Sequence, residues 1–93
     1  MTDKEKLILQ DKIKNGQLAI NELCGLLNKQ VKRIGNSLNV PKECEPMIDE
    51  GIAILEEIIS YHKILGQDYE IDIRMLDTFQ TMKTKINYGS AEI

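Results

Sequence analysis

The sequence predicts an all-α fold: a three-helix unit with a long first helix, continuous or kinked, assembled as an intertwined or bundled homo-oligomer. Three observations predict it. Leu9, Ile13, Gly16, Ile20, Leu23, Leu27, Gln30 and Ile34 follow one another at spacings of four and three residues. Such a seam averages 3.5 residues, the repeat of helices packed lengthwise on another helix. A second segment, Met47 to Leu65, is apolar over more than half of its helical circumference, as expected of a helix buried on two sides. Only four aromatics occur, Tyr61, Tyr69, Phe79 and Tyr88, so Ile and Leu must fill the core. The 93 residues make one domain, 1–93.

The first helix is expected over about residues 2–35, roughly 50 Å at 1.5 Å per residue. A compact globule of this chain length has a radius of gyration of about 12 Å. One protomer is therefore expected to leave the seam uncovered. The seam is assigned as the oligomer interface, with Ile20 to Leu27 at its centre. Asp3 and Glu5 suit the helix start, and Lys29, Lys32 and Arg33 suit its end, each complementing the helix dipole. Gly35-Asn36-Ser37 is a stop signal with Gly35 at C′. Lys12-Ile13-Lys14-Asn15-Gly16 also resembles a helix end, yet Ile13 and Ile20 stay in phase across it. Gly16 and Gly25 each cost about 1 kcal/mol relative to Ala, which implies close approach of another helix.

A connector follows from Asn36 to Glu45. Pro46 fits the first turn of a second helix, about 46–65, with Asp49 and Glu50 at its positive end. Gly66 ends it. In the third segment Tyr69, Ile71, Ile73 and Met75 alternate like a strand. Asp72, Met75/Leu76, Phe79, Met82 and Ile86 instead keep helical spacing. A lone strand would lack a partner, so a helix is expected over about 69–87, with Tyr88 to Ile93 frayed.

The net charge of −3 is segregated: residues 1–36 carry seven Lys/Arg against four Asp/Glu, and residues 37–93 carry five against eleven. An acidic chain is a poor general nucleic-acid binder. A DNA-binding regulator would have to use Lys4, Lys6, Lys12 and Lys14. No apolar run is long enough to span a membrane. Met1 to Lys6 is mixed in charge and does not resemble a signal peptide, so the expected location is the cytoplasm. Cys24 beside the seam is expected to be a core thiol and Cys44 an incidental one, unbridged in a reducing compartment. No metal-ligand spacing and no cofactor motif is present.

His62 is the single histidine, on the apolar stripe of the second helix near Glu56 and Glu57. A general base needs a nucleophile or substrate cradle beside it, and no such ordering is visible. It is read as a packed or interface histidine, and no catalytic residue is assigned. Lys29, Lys32 and Arg33 sit at i, i+3 and i+4, which on a helix gives one face. With Asn36 and Ser37 they form the candidate anion site, where Tyr61 or Tyr69 could stack on a base. Gln30 interrupts the apolar seam, as a register-fixing polar residue does. Asp49-Glu50, Glu56-Glu57 and the row Asp68, Glu70, Asp72, Asp77 are read as solvated acidic faces, or as docking charges for a basic partner.

Two resemblances follow from particular residues. The long first helix with Leu9-Gln10-x-x-Ile13 resembles the all-helical chorismate mutases, which are intertwined dimers. Gln10 and Leu27 stand where that family needs arginines, and Gly51 falls near its glutamate. The resemblance thus implies an architecture and not that activity. Val31-Lys32-Arg33-Ile34-Gly35-Asn36-Ser37-Leu38-Asn39-Val40-Pro41 resembles the opening strand of the swapped-hairpin antitoxins that bind DNA. The strands that should follow are replaced by the helical pattern of Met47 to Leu65.

The expected function is a non-enzymatic, oligomeric binding protein that modulates or inhibits a partner, in the manner of small accessory proteins of phages and other mobile elements. The alternative is an oligomer that sequesters an anionic small molecule, such as a nucleotide signal, against Lys29, Lys32 and Arg33.

Overall fold

The computed structural model describes residues 1–35 and 37–87, except the side chains of Ile34, Ser37 and Asn87. Three helices form the body: α1 (Asp3–Gln30), α2 (Glu45–Leu65) and α3 (Glu70–Thr84). A short 3-10 turn, Lys42–Cys44, leads into α2. Three short strands, β1 (Lys32–Ile34), β2 (Ser37–Pro41) and β3 (Ile86–Asn87), close one end.

α1 starts at a capping box. The Thr2 hydroxyl accepts from the Glu5 backbone N–H, and the Glu5 carboxylate accepts from the Thr2 N–H. Two orphan donors are satisfied this way. The helix runs through Gly16 without a break. A Cβ on Gly16 would come within 2.8 Å of Ile58 Cδ1, so the glycine admits α2 at close range. Gly25 has no such neighbour, and the close approach expected there is absent.

The end of α1 differs from expectation. It stops at Gln30, where Val31 turns extended (φ −78°, ψ 126°). Lys32–Ile34 then pairs antiparallel with Ser37–Pro41 across a two-residue connection. Gly35, at φ 62°, is the left-handed residue of this hairpin and not the C′ of a helix. Gly-Asn between Val31–Ile34 and Leu38–Val40 is a two-residue hairpin signal, and here it prevails over the helical seam. The last turn expected of the third helix is likewise extended: Ile86–Asn87 lies parallel to Val40–Pro41. Within the stretch that resembles an antitoxin strand, Lys32–Ile34 and Ser37–Pro41 thus pair as a hairpin, beside a body that is helical.

α2 is the central helix. Gly66 ends it in the left-handed conformation, φ 70°, its N–H reaching the carbonyls of His62 and Lys63. Gly16 against Ile58 and Lys12 over Tyr61 set α1 antiparallel to α2. Gly51 against Phe79 and His62 against Asp72 set α3 antiparallel to α2 on its other side. The core joins Ile13, Ile20, Leu23 and Leu27 of α1 to Ile48, Leu55 and Ile58 of α2 and to Phe79 of α3. Val40, Cys44 and Ile86 continue it into the small sheet. The protomer is long, 57 × 19 × 18 Å, with a radius of gyration of 15.6 Å. That is well above the roughly 12 Å of a compact globule.

Four of the seam residues, Ile13, Ile20, Leu23 and Leu27, are thus buried within the chain. α2 spans 21 residues, about 32 Å, which is long enough to cover Ile13, Ile20, Leu23 and Leu27. Leu9 is half-buried and Gln30 is exposed, while the Ile34 side chain lies outside the described residues. The large apolar residues left exposed on α1 are different ones: Leu7, Ile8, Leu18 and Leu26.

Candidate functional site

α1 and α3 both pack on α2 and leave a crevice between them. Its floor is Ile20 and Leu27 of α1, Leu55 of α2 and Phe79 of α3, all buried. Its walls add Cys24 from α1, with Met75 and Met82 from α3. The rim on the α1 side is neutral and polar: Gln17, Asn21 and Asn28. At its mouth stands Ile71, which is 73% exposed. An isoleucine so exposed beside an apolar floor is an unfavourable arrangement in water. Exposed apolar surface continuous with a groove marks interaction sites. The volume is divided between two hollows of about 200 and 150 Å³.

At one end of the crevice α3 is tied to α2 through His62. His62 Nε2 lies 3.2 Å from Asp72 Oδ2, and His62 Nδ1 lies 2.9 Å from Gln67 Oε1. His62 and Asp72 are both buried. Both ring nitrogens are thereby engaged, and the ring fastens α3 to α2. Asp72, expected on a solvated acidic face, is instead buried against His62. Its neighbours in the acidic row, Asp68, Glu70 and Asp77, are exposed. His62 thus meets Asp72, not Glu56 or Glu57. At the other end of α3, Lys83 pairs with Asp49 of α2.

The expected anion site is not assembled as a helical face. Lys29 lies in the last turn of α1, whereas Lys32 and Arg33 are consecutive residues of β1. Consecutive strand residues point to opposite faces, so the two cations diverge. Their strand partners are Asn39 and Leu38 respectively. Asn36 and the side chain of Ser37 lie outside the described residues. Tyr61 is placed over Lys12 at 5.7 Å and Tyr69 over Lys63 at 5.5 Å, so neither stacks beside this cluster. Lys4, Lys6, Lys12 and Lys14 all fall on α1, and at about 100° per residue they point around the helix rather than along one side.

Cys24 packs against the core as expected, and Cys44 departs from expectation. Cys44, expected to be incidental, is fully buried, its Sγ 3.5 Å from Gln30 Oε1. Gln30 thus joins the end of α1 to the turn before α2. Cys24 is half-buried in the crevice wall. Burial raises both thiol pKa values, and the Glu43 carboxylate adds to the rise at Cys44.

Among the described residues, no group of three His, Cys, Asp or Glu side chains could hold a metal ion. None of the described helices is long and apolar enough to cross a membrane. The crevice itself was not foreseen. Its signal in the sequence was the pair of periods in the third segment. Ile71 and Ile73 lie outside the helical apolar stripe, and they emerge exposed on α3.

Compared with known proteins, the chain matches no family model, no curated protein and no solved structure.

Proposed function

We propose that the chain is a non-enzymatic binding protein that acts as a homo-oligomer and modulates or inhibits a partner protein. The partner segment lies in the crevice between α1 and α3. One observation carries this reading: Ile71, 73% exposed, borders an apolar crevice floored by Ile20, Leu27 and Phe79. An amphipathic helix laid into such a groove would bury Ile71 and complete the fourth side of the bundle. Its flanks should be basic, because Asp68, Glu70 and Asp77 are exposed on α3 and residues 37–93 carry six more negative than positive charges. Charge complementarity of this kind speeds encounter and selects partners.

The alternative of an anionic small-molecule binder has less support, since the cations it needs diverge on β1. The test is a photo-crosslinking residue at position 71, compared with one at Glu56 on the outer surface of α2, in cells that naturally make the chain. Position 71 should give a single adduct, mapped by mass spectrometry to an apolar, basic-flanked helix of the partner. Position 56 should give none. Equal adducts at both positions, or a mapped segment that is acidic or extended, would overturn the proposal.

A further inference from the structure

The two hollows of the crevice differ in chemistry. The one that contains Phe79 is lined by uncharged side chains alone, among them Leu27, Thr78 and Met82. The other has apolar walls from Leu55, Ile58 and Met75, two amides at its rim, Gln17 and Asn21, and one carboxylate, Asp72. Its volume is about 200 Å³. Sites for drug-sized ligands run to roughly 300–1,000 Å³, so this hollow has room for a single long side chain.

Asp72 is buried there, yet half of its carboxylate is uncommitted. Oδ2 lies 3.2 Å from His62 Nε2, and the Asp72 side chain is 10% exposed. Oδ1 accepts no hydrogen bond from the described residues. No polar side-chain atom among the described residues is both sealed from solvent and unpartnered, so Oδ1 keeps a face to water in the hollow. The neighbouring cations are turned elsewhere: Lys63 lies over Tyr69, and Arg74 pairs with Glu70.

That oxygen constrains any helix that covers the crevice. A wholly apolar face would shut water away from Oδ1 and strand it, at a cost in affinity. A lysine or arginine avoids the cost. Its aliphatic stem can lie along Leu55, Ile58 and Met75, as such stems do on apolar surface. Its head then donates to Oδ1, with the amide oxygens of Gln17 and Asn21 as further acceptors. Hydrogen bonds between ionised partners are about twice as strong as neutral ones.

We infer that the partner helix inserts one basic side chain into this hollow and that Asp72 is the residue that selects it. The inference rests on the crevice being the partner site, and it adds what the partner must carry. The uncharged hollow at Phe79 takes a large apolar side chain. Asp72 and Phe79 are seven residues apart on α3, about 10 Å along a helix. The partner's cation and its apolar anchor should therefore stand about seven residues apart on one helical face. Basic flanks at the rim speed encounter, whereas this enclosed cation slows dissociation.

The test titrates the full chain with two synthetic amphipathic helices of about 18 residues. They are leucine-faced and identical except at one central position of the apolar face. One carries lysine there, and the other carries norleucine, which keeps the stem and omits the charge. Binding is read from the methyl signals of Met75 and Met82 at about 0.15 M salt, where long-range attraction is largely screened. The lysine peptide should bind wild type about tenfold more tightly. Asp72→Asn keeps an acceptor for His62 and removes the charge. In that variant the norleucine peptide should bind at least as tightly as the lysine peptide. Circular dichroism establishes that the variant is folded; if it is not, the wild-type comparison decides alone. Equal or tighter binding of the norleucine peptide to wild type, with saturable shifts of Met75 and Met82, would overturn this inference and leave the crevice as the partner site. A lysine preference that persists unchanged in folded Asp72→Asn would overturn it as well. Binding of neither peptide would overturn both.

Discussion

Phe79 of α3 lies against Gly51 of α2 so closely that a Cβ on the glycine would collide with the ring. Phe79 is 1% exposed and is the largest fully buried side chain among the described residues. The contact brings α3 close to α2, and the same ring lines the crevice between α1 and α3.

Gly51→Ala should therefore destabilise the fold by about 1–3 kcal/mol through overpacking, although alanine favours a helix. Gly25→Ala is the control. It meets nothing within 4 Å and should stabilise by up to about 1 kcal/mol. Urea unfolding of the two variants should move in opposite directions.

The tie between His62 and Asp72 predicts a second asymmetry. His62→Ala removes one partner and leaves a buried carboxylate unsatisfied, at a cost of about 3 kcal/mol. Replacing both by leucine should cost much less, because no charge is then stranded. A double-mutant cycle by chemical denaturation should give a coupling above 1 kcal/mol; additive effects would show that the pair is not coupled.

The thiols give a prediction in pH. Both Cys24 and Cys44 have pKa values raised above 9.0 in the folded chain. The unfolded thiol ionises first as pH rises. The stability these groups contribute is thus full below about pH 9 and lost as pH rises through the folded values. Replacing both cysteines with alanine should flatten the alkaline fall in melting temperature. At pH 8 a thiol reagent should label Cys24 first, while Cys44 reacts only as the chain opens.

Much of the fold was legible and some was not. The α2 boundaries followed from Pro46 and Gly66, whose chemistry is local. The seam on α1, read as an interface between copies, includes Ile13, Ile20, Leu23 and Leu27, which the chain's own core buries. Periodicity records that a face is buried, however, and not whether the covering helix is in the same chain. The hairpin was obscured because Ile34 keeps the helical phase while Gly35-Asn36 signals a turn. Asp72 and the acids around it share one composition, so nothing local marked it as the partner of His62. That pairing depends on how α3 crosses α2.

Ile71→Glu should leave the melting temperature within a few degrees of wild type, because the side chain is exposed and replaced by a better helix former. The same change should abolish the position-specific adduct at a neighbouring crevice site such as Thr78. A large loss of stability would place Ile71 in the core instead.

The four methionines fall in three places, so one spectrum separates the crevice from the rest of the chain. Met75 and Met82 line the crevice, Met47 lies on the α1–α2 flank, and Met1 is at the exposed start of the chain. The most direct measurement is methyl NMR of 13C-labelled methionine during titration with a synthetic Leu/Lys amphipathic helix of about 18 residues, near 27 Å long. Met75 and Met82 should shift and saturate at one peptide per chain, with Met47 and Met1 unmoved. A shift of Met47 without Met75, or no saturable shift at all, would contradict the crevice as the binding surface.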